Sequence, residues 1–278
     1  MEITFITLIK LSIVSIKSQV NLCYLALSFF TRLPVPKTMH YSPALLNQAN
    51  RYFSLVGLLV GGILGLCFLL LSFCFPLSIS VLLTMMISLL LTGAFHEDGL
   101  ADMADGVGGA FEIKKRLAIM KDSRLGTYGA ATLFLALLLK FQLLLVLAEN
   151  SMWLVVGAII LAASLSRAVA GSFISSLPYV SDDEGSKSKP LAQAQSTQEL
   201  YILLGVGLIP LVFFPVSVIV MTLVVLVLFR WYFKSWLLKR LGGFTGDCLG
   251  AAQQLSELLI YLVLVAYFVD NISRGVAQ

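Results

Sequence analysis

Charged residues are scarce in this 278-residue chain: Asp, Glu, Lys and Arg make up 12% of it, against 59% hydrophobic residues. The mean hydropathy of +0.94 lies well outside the range of water-soluble domains. Long apolar runs of this kind are typical of membrane-spanning helices. The scarcity of charge therefore excludes a soluble globular protein. It favours an all-α, polytopic membrane protein folded as one helical bundle.

Histidine and cysteine are also scarce, which limits the metal and redox chemistry of the chain. Two histidines and four cysteines, with no Cys-x-x-Cys pair, do not supply a zinc site of the usual type. The net charge of +4 comes from basic loops between apolar segments, so nucleic acid is not an expected partner. A catalytic metal would therefore be held by carboxylates, which suit Mg²⁺.

Seven apolar segments are candidates for crossing a bilayer, which makes the lipid bilayer an expected partner. They are residues 55–75, 77–95, 130–148, 152–174, 200–213, 214–229 and 256–270. Segments 200–213 and 214–229 are divided near Pro210 and Pro215, and they are alternatively interpreted as one kinked helix. Two spans there place every basic loop on one side of the membrane, which is expected to be the cytoplasm. We therefore predict about seven transmembrane helices.

The whole chain, residues 1–278, is expected to be a single integral-membrane domain. Residues 1–54 are interpreted as a cytoplasmic or interfacial N-terminal segment, with a surface-lying helix or a re-entrant element, and residues 55–270 as the transmembrane bundle. The polar stretch 181–189 is interpreted as a flexible lid or linker.

Four of the fifteen acids lie within nine positions, from Glu97 to Asp105, directly after an uncharged apolar run. In a helix, Asp98, Asp102 and Asp105 fall at i, i+4 and i+7 and share one face, whereas Glu97 points about 100° away from Asp98. Three like charges on one face repel each other unless a cation lies between them. We therefore expect these three aspartates to bind Mg²⁺ at the end of a membrane helix; the alternative is a solvated helix end.

A second polar segment, Met-Lys-Asp-Ser-Arg-Leu-Gly-Thr-Tyr-Gly, leads into the third apolar segment. Lys121 and Arg124 are suited to phosphate oxygens, and Asp122 is suited to accept a proton or join a metal site. Gly126 at a helix start would leave its N–H free for an anion. These residues are candidates for catalysis and phosphate binding; the alternative is a positively charged membrane anchor.

A third segment, Gly-Gly-Phe-Thr-Gly-Asp-Cys-Leu-Gly-Ala, places Asp247 at another helix start as a fourth candidate metal ligand, unless it only caps the helix. Thr245 and Gly246 beside it are expected to bind substrate phosphate. Arg167 lies in or at the end of an apolar segment, where an arginine normally faces a polar cavity or an acid. Its two candidate roles are phosphate binding and pairing with the acid cluster.

Together these segments resemble the cobalamin synthase family, the adenosylcobinamide-GDP ribazoletransferases. The matching stretches are residues 30–36 (FTRLPVP), 96–106 (HEDGLADMADG), 120–129 (MKDSRLGTYG), 166–168 (SRA) and 242–251 (GGFTGDCLGA). The resemblance implies a magnesium-dependent, multi-pass enzyme of the bacterial cytoplasmic (inner) membrane with its active site facing the cytoplasm. Its substrates would be adenosylcobinamide-GDP and α-ribazole or α-ribazole 5′-phosphate, and its products adenosylcobalamin or the 5′-phosphate plus GMP.

Two other functions are alternatives. A CDP-alcohol phosphatidyltransferase of lipid synthesis shares the opening Asp102-x-x-Asp105-Gly, but Gly109-Ala110 stands where that family has Ala-Arg, and its later acids would fall on Ser123 and Thr127. A divalent-cation transporter would more commonly place its acids at mid-membrane than at span ends. A homo-oligomer is among the states that the sequence leaves open.

Overall fold

The computed structural model describes residues 2–180 and 195–275, with side chains from residue 16 to residue 268 apart from the internal gap. The stretch 181–189, interpreted above as a lid or linker, lies outside these residues. Within them the chain is helical, with no β-strand and one isolated bridge between Tyr179 and Phe244. The prediction of an all-α membrane bundle is confirmed.

The described part of the chain forms eleven α-helices, here numbered in chain order. They are α1 (Glu2–Phe30), α2 (Pro43–Gln48), α3 (Phe53–Ser72), α4 (Leu77–Thr92), α5 (Phe95–Gly109), α6 (Ile113–Met120), α7 (Thr127–Asn150), α8 (Met152–Gly171), α9 (Thr197–Leu208), α10 (Val216–Leu241) and α11 (Gly246–Gly275). Short 3-10 segments, Ala49–Tyr52 and Ile209–Phe213, precede α3 and follow α9.

Five helical stretches among the described residues are long and apolar enough to cross a membrane: residues 43–72, α7, α8, α10 and the first 23 residues of α11. A sixth is counted if α4 and α5 are taken as one bent span. The predicted segment 200–213 forms α9 and a 3-10 turn, a shorter apolar helix. The predicted count of seven is therefore not confirmed, and the division between residues 54 and 55 stays a prediction.

A sharp bend separates α4 from α5, whose axes differ by 86°. Gly93 ends α4 in the left-handed region at φ 67°, and Ala94 follows at φ 54°. Glycine adopts this conformation freely, whereas a residue with a Cβ atom does so at a cost of about 1 kcal/mol or more. The two residues turn α5 away from the direction of α4, so α5 does not continue that span.

The core of the bundle is built around α8, which packs against α3, α9 and α11. Close approach of α3 and α8 depends on glycine: a Cβ atom at Gly61 would lie 2.8 Å from the Cα atom of Ile160. By contrast, only 22% of the most apolar stretch of α7, and of α10, is buried inside the protein, as expected for helices that face lipid. Within this core, α11 packs against both α8 and α5, so the start of α11 lies next to α5.

Candidate functional site

The clustered acids of α5 differ in their exposure. Asp98 is exposed and Asp102 is half-buried, whereas Glu97 and Asp105 are 5% and 7% exposed. Burial, together with the nearby carboxylates of Asp98, Asp247 and Asp105, raises the pKa of Asp102 to about 7. Burial and the neighbouring acids both favour the protonated form of Asp102, whereas a bound cation would favour its ionised form.

The glycine-rich segment 242–251 contacts α5 where α11 begins. A Cβ atom at Gly99 would lie 2.9 Å from the carbonyl oxygen of Asp247, and one at Gly250 would lie 3.1 Å from the carbonyl oxygen of His96. Two glycines on facing helices therefore allow α5 and α11 to cross almost backbone to backbone. The crossing brings the half-buried Asp247 to the acid face of α5.

Local interactions fix the start of α11. Gly242 ends α10 at φ 78°, and the Phe244 N–H then donates to the Pro178 carbonyl oxygen at 2.9 Å. The buried Thr245 hydroxyl donates to Asp247 Oδ2 at 3.3 Å and accepts the Cys248 N–H at 3.4 Å. Thr245 therefore orients the Asp247 carboxylate and caps the helix, which Gly246 begins.

Asp105 connects the segment 120–129 to α5 through two hydrogen bonds. The Gly126 N–H donates to Asp105 Oδ2 at 2.7 Å, and the Gly129 N–H donates to Oδ1 at 2.8 Å. The sequence predicted an anion at this helix start, and in the structure that anion is the carboxylate of Asp105. The phosphate-binding role of Gly126 and the metal-binding role of Asp105 stay predictions, since these groups already bind each other.

The charged residues of this segment lie on the loop before α7. Arg124 donates from Nε to both carboxylate oxygens of Asp122, at 3.0 and 3.1 Å, and its Nη2 also contacts Oδ2. These side-chain hydrogen bonds, with one from the Arg124 backbone N–H, lower the pKa of Asp122. Lys121 is exposed on the same loop. The loop therefore carries two positive charges and an ionised carboxylate next to the start of α7, where Asp105 accepts its two hydrogen bonds.

Arg167 lies inside the bundle rather than on the acid face. It is 3% exposed, its Nη1 donates to the Ala163 carbonyl oxygen at 2.7 Å, and its guanidinium lies 5.7 Å from the centre of the Phe53 ring. Arg167 and Glu97 line the same small cavity. Both candidate roles of Arg167, phosphate binding and pairing with the acid cluster, stay predictions.

Other polar residues line the cavity of Arg167 and Glu97, and the sequence did not predict them as site residues. They are notably Lys140, Gln254 and Glu257. A signal was present: Lys140 is the single charged residue of the apolar segment 130–148. Intramembrane charges of this kind usually have a buried partner.

The acid face fits a hard divalent cation by its donor chemistry. Asp98, Asp102 and Asp247 supply carboxylate oxygens from two helices, and burial together with the repulsion among the acids raises the pKa of Asp102. Among the described residues, no three His, Cys, Asp or Glu side chains are already arranged so that they could hold a metal ion, so a metal at this face stays a prediction. An open, oxygen-rich site of this kind is typical of Mg²⁺ that also binds substrate phosphates.

The chain is similar to known proteins over a region that contains all the site segments described above. Residues 22–265 match the family model described as cobalamin-5-phosphate synthase. A Vibrio parahaemolyticus protein named adenosylcobinamide-GDP ribazoletransferase is 54% identical over 255 residues, covering 91% of this chain and 95% of the relative. Proteins of the same name from Vibrio vulnificus (55% identical; 89% and 96% covered) and Shewanella amazonensis (52%; 90% and 96%) are also similar. No solved structure matches the chain.

Proposed function

Because the chain belongs to the cobalamin-5-phosphate synthase family, we propose that it transfers α-ribazole, or α-ribazole 5′-phosphate, to adenosylcobinamide-GDP. The products are adenosylcobalamin, or its 5′-phosphate, and GMP. The observation that carries the proposal is the crossing of α5 and α11, which brings the carboxylates of Asp98 and Asp102 close to Asp247 in a chain with few acids.

The reaction is a phosphoryl-group transfer at a pyrophosphate. A ribazole hydroxyl attacks the phosphorus that is linked to cobinamide, and a new P–O bond forms. The bond between this phosphorus and the bridging oxygen breaks, and GMP leaves with that oxygen. Positioning and charge neutralisation provide most of the catalysis in reactions of this class, and the acid face together with the basic loop offers both.

Asp98, Asp102 and Asp247 are proposed to hold Mg²⁺, which when bound would neutralise charge on the phosphate oxygens. Asp105 is the remaining candidate ligand: each of its oxygens already accepts one N–H group and keeps a further lone pair. Its main effect in this proposal is to hold the basic loop beside the acid face.

Lys121 and Arg124 are proposed to bind the pyrophosphate, and Asp122 to accept the proton of the attacking hydroxyl. Arg124 now contacts Asp122, so binding of the substrate would exchange one anionic partner of Arg124 for another. The exchange would free the Asp122 carboxylate when the hydroxyl is in place. Thr245 and Gly246, beside Asp247, are proposed to contact the substrate phosphates.

We place the active site on the cytoplasmic side of the bacterial inner membrane. Arg116 in α6 donates to the carbonyl oxygen of Arg240 at the end of α10, at 2.7 Å. The basic residues of α6 and the basic end of α10 therefore lie at the same end of the bundle, in agreement with the positive-inside rule. Only four residues separate the end of α10 from the start of α11.

The test uses the purified chain in liposomes with adenosylcobinamide-GDP, α-ribazole 5′-phosphate and Mg²⁺. GMP and the corrinoid product should appear in equal amounts, and chelation of the metal should stop both. Release of CMP from a CDP-lipid, with no reaction of the corrinoid, would instead identify a CDP-alcohol phosphatidyltransferase. Mg²⁺ flux with no nucleotide product would identify a transporter.

A further inference from the structure

A group of charged and polar side chains is buried inside the bundle, behind the acid face of α5. The residues are at most 7% exposed, and they are Glu97, Lys140, Arg167, Gln253, Gln254 and Glu257. The space between them, about 20 Å³, admits a water molecule but no substrate. Any effect of these buried residues on activity must therefore pass through the helices that carry them.

One ion pair accounts for three of these residues, Lys140, Gln253 and Glu257. Lys140 Nζ lies 2.7 Å from Glu257 Oε1, which also accepts the Tyr261 hydroxyl at 3.0 Å. Gln253 Nε2 donates to Glu257 Oε2 at 2.9 Å. Both oxygens of Glu257 thus have partners, and the pair joins α7 to α11.

Glu97 is not explained by this pair. Its Oε1 accepts a hydrogen bond from Gln254 Nε2 at 3.0 Å, and its Oε2 has no hydrogen-bond partner among the described residues. A buried carboxylate with half of its acceptors unused is less favourable than an apolar side chain of the same size. The nearby cations Lys140 and Arg167 favour a carboxylate at this position, but only the hydrogen bond to Gln254 gives that carboxylate a fixed direction.

The position of the Glu97–Gln254 hydrogen bond indicates its role. Glu97 directly precedes Asp98 on α5, and Gln254 lies two helical turns after Asp247 on α11. The two helices also meet at Gly99 and Gly250, neither of which has a side chain that could resist sliding or rotation of α5. The hydrogen bond adds a directional contact between side chains of the two helices. It therefore helps to fix the rotation of α5 and its position along α11.

We propose that Glu97 is a positioning residue, which holds Asp98 and Asp102 in the orientation that a metal shared with Asp247 requires, through its hydrogen bond to Gln254. The inference rests on the proposed function, because it assumes a metal on the acid face. Groups that orient metal ligands without touching the metal typically change its affinity by 10- to 100-fold when they are removed.

The test measures binding of Mn²⁺, used in place of Mg²⁺, to the full chain by the loss of the free-ion electron paramagnetic resonance signal. Glu97→Met and Gln254→Met remove the hydrogen bond with little change in volume, and each should raise the Kd by about tenfold or more. Combining them should add little, since both remove one interaction. Glu97→Gln keeps an oxygen that accepts from Gln254 and should bind Mn²⁺ within about twofold of the unmodified chain, by the same scale.

Tyr261→Phe is the matched control. Tyr261 is equally buried on the same helix, and its hydroxyl donates to Glu257, but it has no hydrogen bond to Glu97 or Gln254 among the described residues. Its loss should lower the melting temperature and leave the Kd for Mn²⁺ unchanged. An equal loss of Mn²⁺ binding in this variant would show that burial in general, rather than Glu97, supports the site, and would overturn the proposal.

A charge exchange keeps the test valid if the methionine variants do not fold. Gln254→Glu places two carboxylates opposite each other and should weaken Mn²⁺ binding, whereas Gln254→Glu with Glu97→Gln restores a hydrogen bond in the reverse direction and should recover it. No recovery, or unchanged binding in all variants, would overturn the role of Glu97 alone. Failure of the unmodified chain to bind Mn²⁺ would instead overturn the proposed metal site.

Discussion

Gly99 and Asp247 touch where α5 crosses α11: a Cβ atom on residue 99 would lie 2.9 Å from the carbonyl oxygen of Asp247 and 3.0 Å from its Cα atom. Both neighbours are backbone atoms, so no side-chain rotation could relieve the contact. The distance between the acids of α5 and the acid of α11 therefore depends on the absence of a side chain at residue 99.

The first prediction is that Gly99→Ala lowers the rate of GMP release by at least about tenfold, because small displacements of reacting groups are costly in an oriented site. The measurement is the steady-state rate at several Mg²⁺ concentrations. Gly62→Ala is the matched control, since a Cβ atom there meets nothing within 4 Å. An equal rate in the two variants would show that the crossing distance does not control the site.

The second prediction concerns Asp102. Asp102→Asn should abolish GMP release while the protein remains folded and inserted, since it removes the central carboxylate of the acid face. It should also raise the melting temperature or leave it unchanged, because the half-buried Asp102 is repelled by Asp98, Asp247 and Asp105. Normal turnover of this variant at ordinary Mg²⁺ would remove the basis of the metal assignment.

The sequence predicted the all-α class and the segments that meet at α5, because both follow from local pattern. Apolar runs and an i, i+4, i+7 set of aspartates are visible without knowledge of contacts. The bend between α4 and α5 could not be predicted in the same way. It depends on a positive φ at Ala94, and alanine is a strong helix former that would be expected to continue α4.

The partners of the site residues were also beyond the sequence. Asp105 was grouped with the metal ligands by its spacing, but its oxygens accept N–H groups from residues 21 and 24 positions away. The bond from Gln254 to Glu97 joins residues 157 positions apart. Periodicity shows which face of a helix a residue occupies, whereas the group opposite that face depends on how the helices pack.

The third prediction separates Asp105 from the other aspartates. Asp105→Asn replaces one of two accepting oxygens with an amide that cannot accept, so one of the N–H groups of Gly126 and Gly129 loses its partner. The expected loss of stability is about 1–3 kcal/mol, measured by thermal unfolding in detergent. The control is Asp98→Asn, which changes an exposed side chain and should reduce activity without this loss. Equal stability of the two variants would contradict the helix-capping role of Asp105.

The fourth prediction concerns the loop before α7 and separates binding from proton transfer. Lys121→Gln and Arg124→Gln should raise KM and usually lower kcat as well, because phosphate contacts act in both the ground state and the transition state. Asp122→Asn should mainly lower kcat, if the carboxylate accepts the proton of the ribazole hydroxyl. Since hydrogen bonds from Arg124 lower the pKa of Asp122, this carboxylate is ionised at neutral pH, and no loss of rate there should arise from its protonation.

The same variant distinguishes a base from a metal ligand. If Asp122 bound the metal, Asp122→Asn would need more Mg²⁺ and excess Mg²⁺ would partly restore its rate, whereas loss of a base is not restored by metal. Steady-state kinetics across a Mg²⁺ series at fixed pH measure both effects. If kcat, KM and the Mg²⁺ requirement all matched those of the unmodified chain, Asp122 would have no part in the reaction. The loop would then serve, through Lys121 and Arg124, as a positively charged anchor at the membrane surface.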